Sequence, residues 1–256
     1  MKHKSDVKIY CINLYSRDDK YKFIQEQFNK IKNYNFDIDI VRKHKHVKGG
    51  RYGCFNSHIE CISDAYRLGL KYCVIMEDDC EILDIFPHTI KSCIKFINKM
   101  NKKSVNVDII YLNSYGCAYL SEKYSEDIYK GKFLSTTCLF LTRKGMKKIL
   151  SSYENYIELN YHYDHFLAQI TSDTFLNLKC PTRSKNFSSD NDPWSKSNKL
   201  VTFAQQLQTY TTAHLLFRNY LVISICKYLI SNKKYSTLKK LIDYSDAYNN
   251  NLAANA

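Results

Sequence analysis

Short apolar runs alternate with amphipathic stretches along the first half of the chain. "VKIYCINL" (7–14) is apolar and β-branched, which predicts a buried strand. "SRDDKYKFIQEQFNKIKNY" follows at once, with Ile24, Phe28 and Ile31 at helical spacing. Ser16 offers a cap there, and Asp18 and Asp19 fall in the first turn, where the helix dipole favours acids. "FDIDIV" (36–41) alternates like a half-exposed strand, and "RKHKHVKGGRYG" (42–53) predicts a basic loop. "CFNSHIECISDAYRLGL" (54–70) places Phe55, Ile59, Ile62 and Tyr66 on one helical stripe. A strand over 72–76 and a helix over roughly 88–100 come next. "VDIIYLN" (107–113) and "KFLSTTCLFLTRKG" (132–145) predict strands, "RKGMKKILSSY" a short helix, and "TFLNLKC" (174–180) a last strand. Such alternation predicts an α/β layered sheet with parallel strands. From Trp194 onward there is neither Gly nor Pro, and Phe203, Leu207, Tyr210, His214, Phe217, Leu221 and Ile225 keep a helical stripe.

Composition changes this picture in few places. The 256 residues, 45% of them hydrophobic, suffice for one large domain or a domain with an appendage. The net charge of +13 suits phosphates, nucleotide-linked substrates, nucleic acid or an anionic membrane, although Lys, Asn, Ile and Tyr abound throughout, as an AT-rich coding bias would give. The basic residues are spread along the chain without an RNA-recognition or zinc-finger signature, so no specific nucleic-acid partner is expected. None of the ten cysteines has C-x-x-C spacing, and Cys73, Cys138 and Cys226 fall in apolar runs, where a thiol acts as a small hydrophobe. No signal peptide is visible, which points to a reducing, cytoplasmic setting in a bacterial or large-DNA-virus context. The sequon at Asn186-Phe187-Ser188 is then a chance match. "AHLLFRNYLVISICKYLI" (213–230) is strongly apolar, but Arg218, Asn219 and Lys227 argue against a spanning helix. A core or partner-facing helix is expected there, with a peripheral membrane contact as the sharper alternative.

The chemistry concentrates in "KYCVIMEDDCEIL", where the apolar run breaks into Glu77, Asp78 and Asp79. Ligands of open α/β sheets gather at the carboxyl ends of strands. Three adjacent carboxylates repel one another, and a divalent cation relieves that repulsion; hard oxygen ligands suit Mn²⁺ or Mg²⁺. If the backbone stays extended, Glu77 and Asp79 share one side and Asp78 turns to backbone or solvent. The plainer alternative is an acidic loop after an edge strand.

"GCFNSHIECISDAYRLGLKYCVIMEDDCEI" (53–82) resembles the central motif of glycosyltransferase family 25, through Gly53, Cys54, Ser57 and His58 and then Glu77-Asp78-Asp79. That family includes lipooligosaccharide and collagen-type galactosyltransferases. The opening "INLYSRDDKYKFI", "VDIIYLN", "CLFLTRKGMKKIL" and "YDHFL" are similar to further family segments, so the resemblance spans roughly residues 7–190. Arg51 stands where the family usually has an acid, and Cys80 where an aliphatic residue is usual. The resemblance implies a GT-A-like nucleotide-sugar-binding sandwich with a mixed, mainly parallel sheet and, here, a C-terminal helical appendage. The expected divisions are a transferase domain over 1–195, the appendage over 196–248 and a frayed tail over 249–256. It further implies a UDP-sugar donor (usually UDP-galactose), a divalent metal, inversion at the anomeric carbon, and a glycan or hydroxylated-protein acceptor.

On that basis Asp79 is expected as metal ligand, with Glu77 on the donor ribose or the metal. Asn13, Leu14 and Arg17 are expected beside the nucleotide, and Asn113 is also assigned to substrate binding. Ser57 and His58 precede the acidic strand; His58 would bond the donor or hold Glu77 or Asp79, or be a structural histidine. His162, Asp164 and His165 form a second polar group. Asp164 is expected as the general base that takes the acceptor's proton, and His165 as a further metal ligand. The surface reading of the two histidines is a helix start with flanking imidazoles. Arg42–Arg51 would attract diphosphate or simply be a solvated loop. Trp194 would stack on a sugar or dock the C-terminal helices. A nucleic-acid module and a catalytically degenerate scaffold are the rival classes.

Overall fold

The computed structural model describes residues 7–113, 116–134, 136–159 and 161–185. β1 (Val7–Leu14) leads into α1 (Asp18–Ile31), a 3₁₀ turn (Lys32–Tyr34) and β2 (Asp37–Lys43). Then come α2 (Gly50–Arg67), β3 (Tyr72–Glu77), the short β4 (Cys80–Ile82) and α3 (Phe86–Lys102). β5 (Ile109–Tyr111), β6 (Gly116–Lys123), β7 (Ile128–Leu134) and β8 (Cys138–Thr142) lead to α4 (Arg143–Leu150), α5 (Glu154–Glu158), α6 (Tyr163–Ile170), β9 (Thr174–Asn177) and β10 (Thr182–Ser184).

Eight of these strands form one sheet in the order β2-β1-β3-β8-β5-β9-β7-β6, and β10 pairs with β4 in a separate ribbon. β1 runs parallel to β2 and β3, and β9 to β5, whereas β8 opposes both its neighbours and β7 opposes β9 and β6. All strands of the sheet except β7 and β8 therefore point the same way, and the expected mixed, mainly parallel α/β sheet is what forms. β3 is buried on both faces, which is why its sequence is a continuous apolar run and not an alternation. Ile9, Cys11, Val74 and Met76 join Ile24, Phe28 and Ile31 of α1 and Ile90, Phe96 and Ile97 of α3 in the core. Tyr10, one residue out of phase, instead donates to Asp64 of α2 at 2.7 Å, and Cys73 meets Met146 of α4. Helices thus cover both faces.

The local departures from expectation have identifiable causes. Arg17, not Ser16, occupies the N-cap of α1, and no side chain caps it. The basic loop is shorter than 42–53: Arg42 and Lys43 extend β2 against Asn13 and Leu14, and α2 starts at Gly50. The stretch 132–145 contains the end of β7, all of β8 and the start of α4, because β7 and β8 run the same way but lie apart in the sheet, with β9 and β5 between them. α4 lies so close to the preceding strand segment that a Cβ on Gly145 would fall 2.8 Å from the carbonyl carbon of Asp108. No helix among the described residues is long and apolar enough to cross a membrane. The expected appendage, the tail, the 213–230 segment, Trp194 and the sequon lie outside the described residues.

Candidate active site

Parallel βα units put helix N-termini at the carboxyl ends of their strands. β1 and β3 end side by side, with Ile12 opposite Glu77, and α1 and α2 begin at the same edge. A cleft opens there, lined by Ile12, Leu14 and Lys20, by His44, Lys45 and His46, by Gly50, Gly53, Cys54, Ser57 and His58 of α2, and by Glu77, Asp78 and Asp79. The first turn of α2 faces this cleft, and its unpaired amides and positive dipole end favour a phosphate. Gly53 lets His46 of the preceding loop pack against this turn: a Cβ on it would stand 3.0 Å from Cβ of His46.

The three acids are held differently. β3 stops at Glu77, and Asp78 and Asp79 lie in a turn, so the extended alternation does not continue. Asp78 is 7% exposed and turned to neither solvent nor backbone. Its Oδ2 accepts from Nδ2 of the fully buried Asn13 at 2.7 Å, and its Oδ1 lies 3.0 Å from Nζ of Lys20. Asn13 is fixed in turn by Arg42, whose Nε donates to Asn13 Oδ1 at 3.1 Å. Asp79 has Oδ2 at 3.4 Å from the same Lys20 ammonium, while its Oδ1 is buried with no hydrogen-bond partner. Glu77 accepts from the Thr136 hydroxyl at 2.6 Å through Oε1. Burial pushes the Asp79 carboxyl up to about 6, with Lys20 opposing and Glu77 and Asp78 adding to the rise. Burial raises Glu77 as well, against the Thr136 hydrogen bond and Lys20, and Asp164 is close enough to contribute to that rise.

The remaining expected site residues divide between cleft and frame. Leu14 lines the cleft, and Ser57 does so while donating to the Gly53 carbonyl at 2.7 Å. Arg17 is turned onto Asp19 in a two-point ion pair of 2.9 and 2.8 Å. Asn113 is 4% exposed and donates to Ser184 at 3.2 Å, tying β5 to β10. Asp164 sits in the first turn of α6, where its Oδ1 accepts the backbone N–H of His165. His165 stacks with His162, ring centres 5.5 Å apart. Among the described residues no three His, Cys, Asp or Glu side chains gather as a metal set, so His165 does not join Asp79 and Glu77, which line the cleft without it. The short α6 directs His165 toward its own flanking imidazole and Tyr161 instead.

Lys20 is the functional candidate that sequence reading missed. In the sequence it is one more cation on an amphipathic helix. The signal was its place in the first turn after β1, next to a strand ending in three acids that demand a countercharge.

His58 is fully buried. It holds neither Glu77 nor Asp79: Nδ1 donates to the Cys54 carbonyl at 2.9 Å, which fixes the proton there, and Nε2 has no hydrogen-bond partner. Its ring packs against Tyr163, centres 4.4 Å apart. Burial lowers its pKa from 6.5 to about 4, so it is neutral at pH 7. Between those values the unfolded chain binds more protons at this residue, so stability rises with pH across the window. Acidification from pH 7 to pH 5 is expected to cost roughly 2 kcal/mol through His58. Urea unfolding at both pH values checks this, since His58→Asn, which keeps a donor for the Cys54 carbonyl, should lose that increment. An unchanged pH difference in the variant counts against the neutral assignment.

The profile of glycosyltransferase family 25 (LPS biosynthesis protein) matches residues 30–167, more than half of the chain. The chain belongs to glycosyltransferase family 25. It is therefore a glycosyltransferase, and the family's Gly-Cys-x-x-Ser-His and Glu-Asp-Asp elements are the two that face each other across the cleft. No curated protein sequence matches significantly. Solved structures similar to it include A197 from STIV, with 10% identity, 72% of this chain and 86% of that one covered, and a TM-score of 0.46. Mannose-1-phosphate geranyltransferase from Thermus thermophilus shares 8% identity over 68% of this chain and 74% of that one, TM-score 0.40. A glycosyltransferase involved in glycosylation of the major capsid of PBCV-1 shares 7% over 66% and 81%, TM-score 0.37.

Proposed function

We propose that this family member moves a sugar, galactose being the one the family resemblance implies, from a UDP-sugar to a hydroxyl of a glycan or protein acceptor, with inversion at the anomeric carbon. The observation that carries this reading is the cleft itself: a helix N-terminus suited to phosphate faces three carboxylates, one of which keeps a buried oxygen without a partner. That orphaned oxygen on Asp79, and the upward pKa shifts that neighbouring carboxylates add to both Asp79 and Glu77, fit a divalent cation such as Mn²⁺ or Mg²⁺. Such ions are commonly held by one or two carboxylates plus substrate phosphates and water, so a third protein ligand is not required. When bound, the cation would stabilise the negative charge that develops on the departing UDP.

The chain's own groups do the rest. Asp79 and Glu77 would hold the cation, and the amides of the first turn of α2 would orient the diphosphate. Asn13 and Arg42 hold Asp78, and through it the turn. Asp164 lies near enough to Glu77 to affect its charge, and takes the proton from the acceptor hydroxyl as that oxygen attacks opposite UDP.

A panel of UDP-sugars, assayed for UDP release with Mn²⁺ and after chelation, tests the reading. Metal-stimulated release from one donor supports it, and no release from any UDP-sugar with any hydroxyl acceptor overturns it. Asp164→Asn is expected to lower transfer by about 10²–10⁴-fold with UDP affinity nearly intact. Lost UDP binding in that variant would move Asp164 to the donor site instead.

A further inference from the structure

We propose that Lys20 is a resident counter-ion that keeps a divalent cation off Asp79 until the donor's diphosphate arrives, so that cation and donor bind as a coupled pair. The inference rests on the proposed donor and cation and adds an order to their binding. Lys20 is 6% exposed, yet its side chain lines the cleft. A buried ammonium is costly unless paired, and here it has two carboxylates, at 3.0 Å in Asp78 and 3.4 Å in Asp79. Held between these two carboxylates, the ammonium is the resident positive charge of the acidic turn.

Within the Asp78–Asp79 pair, the bonding leaves one oxygen for an incoming dication. Both oxygens of Asp78 are engaged, by Lys20 and Asn13, as is Oδ2 of Asp79. Asp79 Oδ1 is the oxygen left over, and a cation placed there meets a fixed positive charge bound to the same carboxylate. A diphosphate reverses that balance. It brings negative charge to both cations, and an ammonium has three donors, so Lys20 can keep Asp78 while turning from Asp79 to a phosphate oxygen. Coupling of this kind is reciprocal: UDP tightens Mn²⁺ by the same factor that Mn²⁺ tightens UDP.

The experiment is calorimetric titration of the full chain with Mn²⁺, with and without saturating UDP, for wild type, Lys20→Met, Lys20→Gln and Lys20→Arg. Wild type is expected to bind Mn²⁺ about tenfold more tightly with UDP present, within the usual range of coupling between sites. Lys20→Met should bind Mn²⁺ alone about tenfold more tightly than wild type and lose most of the UDP effect, while Lys20→Arg keeps the wild-type pattern. Lys20→Gln, which retains a donor for Asp78, carries the test if a melting curve shows the Met variant unfolded. Unchanged or weaker Mn²⁺ binding in the folded neutral variant, with wild type still binding Mn²⁺ and UDP together, overturns the role of Lys20 alone. Wild type that takes up no Mn²⁺ even with UDP overturns the cation reading beneath it.

Discussion

Asp79→Asn is expected to reduce metal-stimulated UDP release by about 10²–10³-fold while leaving the protein folded. The amide keeps the shape of the carboxylate and removes its charge, so the loss reads the electrostatic contribution and not a packing defect. Folding should survive because Asp79 is destabilised as an anion already: burial and its acidic neighbours raise its pKa. The variant's melting temperature is expected to equal or slightly exceed that of wild type. Asp78→Asn makes the contrast, since Asp78 is the acid that the frame uses, bonded to Asn13 and Lys20. Its loss should appear in stability as well as in turnover. Turnover of Asp79→Asn within a few-fold of wild type would remove Asp79 from the reaction.

Gly145→Ala carries the largest expected effect on the fold. The glycine is buried at the start of α4, beneath the Asp108 carbonyl. That carbonyl cannot easily withdraw, because it accepts the Thr142 N–H at 3.1 Å, and the Thr142 hydroxyl also donates to Val107 at 2.6 Å. The same Thr142 oxygen accepts the Gly145 N–H and caps the helix. One methyl group must therefore displace helix, cap and strand together. Overpacking of this kind costs about 3 kcal/mol, a fall in Tm of roughly 6–12 °C for a chain of this size. A differential scan reads it, and a Tm within about 2 °C of wild type would show that α4 can slide.

Much of this arrangement was legible in the residues. The acidic turn could be placed at a strand end because 72–76 is too uniformly apolar for a surface strand. α2 could be placed because its stripe repeats at helical spacing. The stretch 132–145 hid two strands, since "LSTTC" has no Gly or Pro to mark the break between them and its threonines read as strand formers. That hidden break matters: Thr136, which donates to Glu77, lies in it. β4 and β10 have three residues each, too few to show a period. Lys20 was invisible for a different reason. Its role depends on which strands lie side by side, and the adjacency of β1 to β3, with a helix, a strand and a second helix between them in the chain, is not written in any local pattern.

The β4–β10 ribbon has a consequence for how the enzyme is made. Cys80–Ile82 pairs with Thr182–Ser184, the Lys185 N–H donates to the Asp79 carbonyl, and Leu83 is held by Pro181. The backbone of the acidic turn is thus fastened by residues synthesised about a hundred positions later. At about 5–20 residues per second, the turn leaves the ribosome roughly 5–20 s before its clasp. Throughout that interval the nascent chain carries an acidic turn whose backbone still lacks its β10 partner.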